Sequence, residues 1–303
     1  MKTIIFGAGS DLGVHIDGAH LGPIQLTKDL NTFYKGEIIN FSQNESVIKS
    51  RNLSDRRKNE YDVEKFNTDL YNSIVEKTKD DELFPITIGG DKSISIASAL
   101  ASASKYPQDN IGMIWFSSHA DYNTFETTIT GNIAGLSVAA INGYKNHELR
   151  YFHDTNVIQT AKTVIIGARD IEENEKDNIR YSGIKIYTTK DIKERGIEEI
   201  LNEAFEIVGT RTKGIHINYC LDLFDPDAAP GVSIPKFDGL TEEEGMKINE
   251  EVLKHIDDII SYNLVDFNPL RDQQRKTEQI ALNMIVQVIN AVTKKGTSFT
   301  RKY

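Results

Sequence analysis

Short runs of β-branched and aromatic residues punctuate the chain: Thr3 to Phe6, Ile86 to Ile88, Ile111 to Phe116, Val164 to Ile166, Ile215 to Leu221 and Leu264 to Phe267. Apolar runs this short, bounded by polar sequence, read as strands. Between several of them the period changes. Val63, Phe66, Leu70 and Ile74 follow a 3-4-4 spacing that makes one apolar stripe on a helix. Ser93 to Ser104 is almost entirely Ser, Ala, Ile and Leu, a helix whose small side chains allow close approach to a sheet. Thr277 to Val292 forms a last amphipathic helix. The alternation predicts an α/β fold, a three-layer α/β/α sandwich around a central, mostly parallel sheet.

Ligands of such sheets collect in the crevice beyond the carboxyl ends of the strands. Four of those ends carry unusual polar residues: Gly89 to Ser93, Ser117 to Asp121, Cys220 to Asp225 and Asp266 to Pro269. The 303 residues, with 39% hydrophobic content, suit one large domain spanning 1–303. A formal charge of -10 and a pI near 5.3 oppose nucleic-acid binding, which needs clustered Lys and Arg to displace counterions. The basic group Arg51, Arg56, Arg57 and Lys58 is interrupted by Asp55 and followed by Glu60 and Asp62, the pattern of a solvated loop. Cys220 is the single cysteine, so no internal disulfide forms. No apolar run approaches the roughly 20 residues that cross a bilayer, and the start, MKTIIFGAG, lacks a secretory apolar stretch. A cytoplasmic protein is expected.

Two familiar motifs fail on context. Gly7 to Gly13 follows a strand with the wrong spacing for a dinucleotide fingerprint, and no helix pattern opens directly after it. No G-x-S-x-G elbow supports serine hydrolysis. The strand ends carry more. Ser117 and His119, with Asp121 just beyond, share one face by strand alternation, as do Cys220 and Asp222. A histidine converging with carboxylates fits a metal or acid-base site, or a buried polar network that fixes loop ends. Lys92 stands where a loop opens a helix, a place disfavouring a cation by roughly 0.3 to 1 kcal/mol. Pairing with Asp121 or Asp222 would outweigh that term; the other reading points Lys92 to solvent.

In order along the chain stand Leu21-Gly22-Pro23, Gly89-Gly90-Asp91, H-A-D-x-N-T at His119 to Thr124, and Thr130-Gly131-Asn132. Ile166 to Asp170, D-x-x-D-P-x-x-A-P-G at Asp222 to Gly231, Gly239-Leu240-Thr241 and Phe267-Asn268-Pro269 follow. Together these resemble the arginase branch of the ureohydrolases over nearly the whole length. The resemblance implies two Mn2+ ions sharing bridging carboxylates and a hydroxide. It also implies a small cationic amino acid such as arginine as ligand, and a homo-oligomer, trimer or hexamer. The chain departs from that pattern at the metal positions. Lys92 replaces a histidine, while Ser117 and Cys220 replace the aspartates that bridge the metals in the family; His119, Asp121 and Asp222 remain as a vestigial set. Ala134 stands at the family's proton-shuttle histidine. At the positions that hold the amino-acid end, this chain has Asn123, Thr130 and Glu172, and Asp266 replaces the guanidinium-binding glutamate. Manganese-dependent arginine hydrolysis is therefore not expected, and at most one divalent metal (Mn or Zn) would be held. The alternative is a hydrolase of a linear amidine or guanidine C-N bond, using one metal on His119, Asp121, Cys220 and Asp222, or a metal-free reaction at Lys92.

Overall fold

The computed structural model describes residues 1–80, 82–108, 110–145, 147–149 and 157–298. Eight strands form one sheet: β1 (Lys2–Gly9), β2 (Glu37–Ser42), β3 (Leu83–Gly89), β4 (Gly112–Phe116), β5 (Thr163–Ala168), β6 (Lys185–Thr188), β7 (Ile215–Cys220) and β8 (Ile259–Val265). Their order is β2-β1-β3-β8-β7-β4-β5-β6, and every neighbouring pair is parallel. Parallel neighbours need crossovers, supplied here by α1 (Leu21–Leu30), α2 (Glu60–Lys77), α3 (Ser95–Ser104), α4 (Ser137–Ile141), α5 (Glu173–Ser182), α6 (Thr189–Arg195), α7 (Ile197–Gly209) and α8 (Glu242–Leu253); α9 (Lys276–Ser298) follows the last strand.

The sheet's two faces bury two separate apolar clusters. One holds Leu26 of α1, Leu201 and Phe205 of α7, Ile248 of α8 and Met284 and Val288 of α9. The other holds Leu70 and Ile74 of α2, Leu100 of α3 and Val138 of α4. Helices thus cover both faces, giving the three layers expected. The small side chains of α3 let it lie directly on β7 and β8, and its residues from Ser95 to Ala103 are all buried. Ser98 Oγ accepts from Asn263 Nδ2 (2.5 Å), and Ser102 Oγ donates to Ser261 Oγ (2.8 Å). These bonds give the buried hydroxyls partners that an apolar sheet face would deny them.

The last strand runs Ile259–Val265, earlier at both ends than the Leu264 to Phe267 expected. Strands β2 and β6 were not expected at all. They are the two sheet edges, and apart from the buried Tyr187 their side chains are exposed or half-buried. No helix among the described residues is long and apolar enough to cross a membrane.

Candidate functional site

The carboxyl ends of β3, β4, β5, β7 and β8 open into one cavity of about 190 Å³. Its floor starts from the turn after β3. A Cβ on Gly90 would stand 1.9 Å from the Ser10 carbonyl oxygen, so only glycine lets the chain pass there. Asp91 accepts from Gly13 N (2.9 Å) and Ser93 N (2.7 Å), capping the short 3-10 turn of Lys92 to Ile94. Burial pushes this carboxyl up to about 6. The cap fixes the backbone that carries Lys92.

Lys92 is buried at the bottom of the cavity. Nζ lies 2.8 Å from Asp121 Oδ1 and 3.1 Å from Asp222 Oδ2. It also donates to Ser117 Oγ (3.3 Å) and contacts His119 Nδ1 (3.2 Å). The expected pairing is thus met by both aspartates. Burial alone would lower the Lys92 pKa, but Asp121 and then Asp222 hold it well above its ordinary value. Burial alone would raise Asp222. The Lys92 ammonium, the His119 hydrogen bond (2.8 Å) and the Ser118 backbone N–H (3.0 Å) instead hold it well below the usual carboxylate range. Asp266, at the end of β8, behaves oppositely: burial and then the Asp222 charge push its carboxyl up to about 8.

Asp121 and Asp266 both adopt left-handed backbone, with φ of 52° and 73°. Such angles in residues with a Cβ persist where the surroundings over-determine them. Asp121 is fixed by Trp115 Nε1 (3.0 Å) on its carboxylate and by Val138 N (3.0 Å) on its carbonyl. Asp266 is fixed by its own N–H on the Gly90 carbonyl (2.7 Å).

Asn123, Thr130, Ala134 and Glu172 line the wall and mouth of the same cavity. Asn123 Nδ2 donates to Glu172 Oε2 (3.2 Å), joining two of the expected residues. Ala134 donates its N–H to the Gly13 carbonyl (3.1 Å), which brings His15 to the cavity beside it.

Two expectations need correction. Lys58 belongs to no solvated patch: it is 2% exposed, and its ammonium donates to the Thr130 carbonyl. Cys220 does not line the cavity with Asp222. Strand β7 ends at Cys220 and residues 221–223 turn as a 3-10 helix, so the two-residue alternation fails there. Cys220 packs in the apolar cluster beneath the sheet and accepts from Asn218 Nδ2 (3.3 Å). Burial, then the Asp222 charge, push its thiol well above its ordinary value.

Four site residues escaped the sequence reading. Glu175 is buried and accepts from Tyr122 N (2.5 Å) and Glu172 N (3.2 Å), with burial raising its carboxyl to about 8. Arg169 donates to the carbonyls of Asp222 (2.9 Å), Leu223 (3.2 Å), Phe224 (3.1 Å), Lys236 (2.9 Å) and Phe237 (3.0 Å), bracing two loops of the site. Asp170 and Lys236 form an ion pair of 2.5 Å at the mouth. Asp170 and Arg169 lie in the Ile166 to Asp170 motif; Lys236 carries no local signal. Among the described residues, no three His, Cys, Asp or Glu side chains are gathered closely enough to hold a metal ion.

The model of the arginase family matches residues 1–290. An arginase of Staphylococcus aureus is 31% identical over 294 residues, covering 93% of this chain and 94% of its own. The solved arginase of Bacillus subtilis superposes with a TM-score of 0.82 at 28% identity, over 95% of this chain and 98% of that one. The arginase of Entamoeba histolytica, solved in complex with L-ornithine, superposes with a TM-score of 0.85 at 23% identity, over 95% and 97% of the two chains. The Lys92 turn, the His119 to Asp121 loop and the Asp222 turn thus sit on a shared scaffold, and this chain belongs to the arginase family.

Proposed function

We propose that this chain binds a small cationic amino acid of the arginine type and does not hydrolyse it through a manganese pair. The observation that carries this reading is the Lys92 ammonium set between Asp121 and Asp222 at 2.8 and 3.1 Å. Members of the family use manganese, and a pair of dications needs several hard anionic ligands in a shared space. The donor set here does not fit such a pair. An ion bound at the usual ~2 Å to either carboxylate would stand within about 5 Å of the ammonium, where like charges at low effective dielectric repel strongly. Ser117 supplies a hydroxyl in place of a carboxylate. Cys220 keeps its proton and packs in an apolar cluster outside the cavity lining, which also counts against a single metal on His119, Asp121, Cys220 and Asp222. No chemical step through a metal follows from this geometry.

Lys92 does for the floor what a bound cation would do: it pairs with two buried carboxylates and offsets one of their two charges. The cavity retains an acidic excess, with six carboxyl groups against the ammoniums of Lys92 and Lys236. Even with Asp266 and Glu175 protonated near pH 7, carboxylates still outnumber ammoniums. That balance favours a cationic ligand. The test is urea release from arginine by purified protein loaded with Mn2+, with arginine binding measured by calorimetry. Binding without urea above the buffer rate is expected; steady urea release would overturn the reading.

A further inference from the structure

We infer that Lys236 is a specificity-determining residue that makes this cavity select a zwitterionic α-amino acid over the amine lacking the carboxylate. The inference rests on the cationic-amino-acid reading above and adds the group that senses the other end of the ligand.

The charges of the cavity are sorted by depth. At the floor Asp121, Asp222 and Asp266 surround Lys92, whose ammonium is already taken up by two carboxylates, the Ser117 hydroxyl and the His119 ring. A ligand carboxylate there would meet three acidic side chains and no free donor from Lys92. The anionic end must therefore stay at the mouth. Lys236 is the other lysine lining the cavity, and its side chain is 36% exposed. Its partner Asp170 is 38% exposed and also lies 3.5 Å from His119 Nε2. The mouth thus presents one cation and one anion side by side, each reachable by a ligand.

A zwitterionic head can divide this pair. Its carboxylate replaces Asp170 on the Lys236 ammonium, and its ammonium replaces Lys236 on the Asp170 carboxylate. Every charge keeps an opposite partner, so the exchange avoids the penalty of an uncompensated ion. An amine without the carboxylate brings a second ammonium beside that of Lys236 at Asp170 and supplies no anion to offset it. Neutral donors such as Asn123 and Thr130 hydrogen-bond a carboxylate but do not repel a ligand that lacks one. Lys236 does both, and discrimination needs the repulsive element as well as the attractive one. Arg169 holds the Lys236 backbone through its carbonyl (2.9 Å), so the ammonium is presented from a braced segment.

The test measures binding of arginine and of its decarboxylated amine, agmatine, by calorimetry to the wild type, Lys236→Met and Lys236→Arg. The wild type is expected to prefer arginine by about fivefold, the upper end for one partly exposed ion pair. Lys236→Met should bring the two ligands within about twofold, while Lys236→Arg, which keeps the charge, should retain the preference. Melting curves of both variants check folding, and the arginine variant keeps the test decisive if the methionine variant unfolds. An undiminished preference in Lys236→Met, or its loss in a folded Lys236→Arg, would overturn the inference. A wild type that binds agmatine as tightly as arginine overturns it too, yet leaves the cationic-ligand reading standing. A wild type that binds neither overturns both.

Discussion

The floor and the mouth of the cavity differ in how their charges are used. At the floor every charge is spent internally: Lys92, Asp121 and Asp222 are buried, and each is held by several partners from the chain itself. At the mouth Asp170 and Lys236 pair with each other and are more than a third exposed. A buried charge network in low dielectric is costly to break or to replace, whereas a half-exposed pair exchanges partners readily. The floor therefore acts as structure, and the mouth is left for recognition.

The largest effect should follow from breaking the floor. Lys92→Ala leaves two buried carboxylates without their cation and is expected to lower stability by about 3–5 kcal/mol. Chemical denaturation measures this; a loss under about 1 kcal/mol would mean that the floor is far less dependent on its internal cation. Next comes pH. Glu175 has a folded pKa of about 8 against an ordinary 4.5, so folding favours its protonated form. Its contribution is complete below pH 4.5 and is lost as pH rises through about 8. The melting temperature of the wild type should fall across that window, and Glu175→Gln, which cannot ionise, should flatten the fall. The smallest effect belongs to Lys58. Burial already opposes its charge, and its ammonium holds the Thr130 carbonyl, so Lys58→Met should cost about 1 kcal/mol. Arginine affinity should weaken at the same time, because Thr130 lines the cavity.

What the sequence disclosed follows a physical rule. Interior strands announce themselves because both faces are buried, which is why β1, β3, β4, β5 and β7 are legible as apolar runs. Strands β2 and β6 are edges with solvent on one side, and Glu37 and Lys185 look like loop residues. The site was legible where it depends on order along the chain: Lys92, His119, Asp121 and Asp222 do converge. It was illegible where a side chain's direction depends on tertiary context. Cys220 does not line the cavity with Asp222, because β7 ends there and the two-residue alternation stops. Lys58, in a run of charges, is buried because the loop carrying Asp55 closes on Gly131, where a Cβ would meet the Asp55 carbonyl oxygen at 2.0 Å. Lys236 and Asp170 are 66 positions apart and meet only through the fold.

The central claim is that Lys92 closes the floor to a metal pair. Equilibrium dialysis of purified wild-type protein against Mn2+, followed by elemental analysis, tests it most directly. At most one Mn2+ per chain is the result this account requires, and two tightly held Mn2+ ions per chain would contradict it.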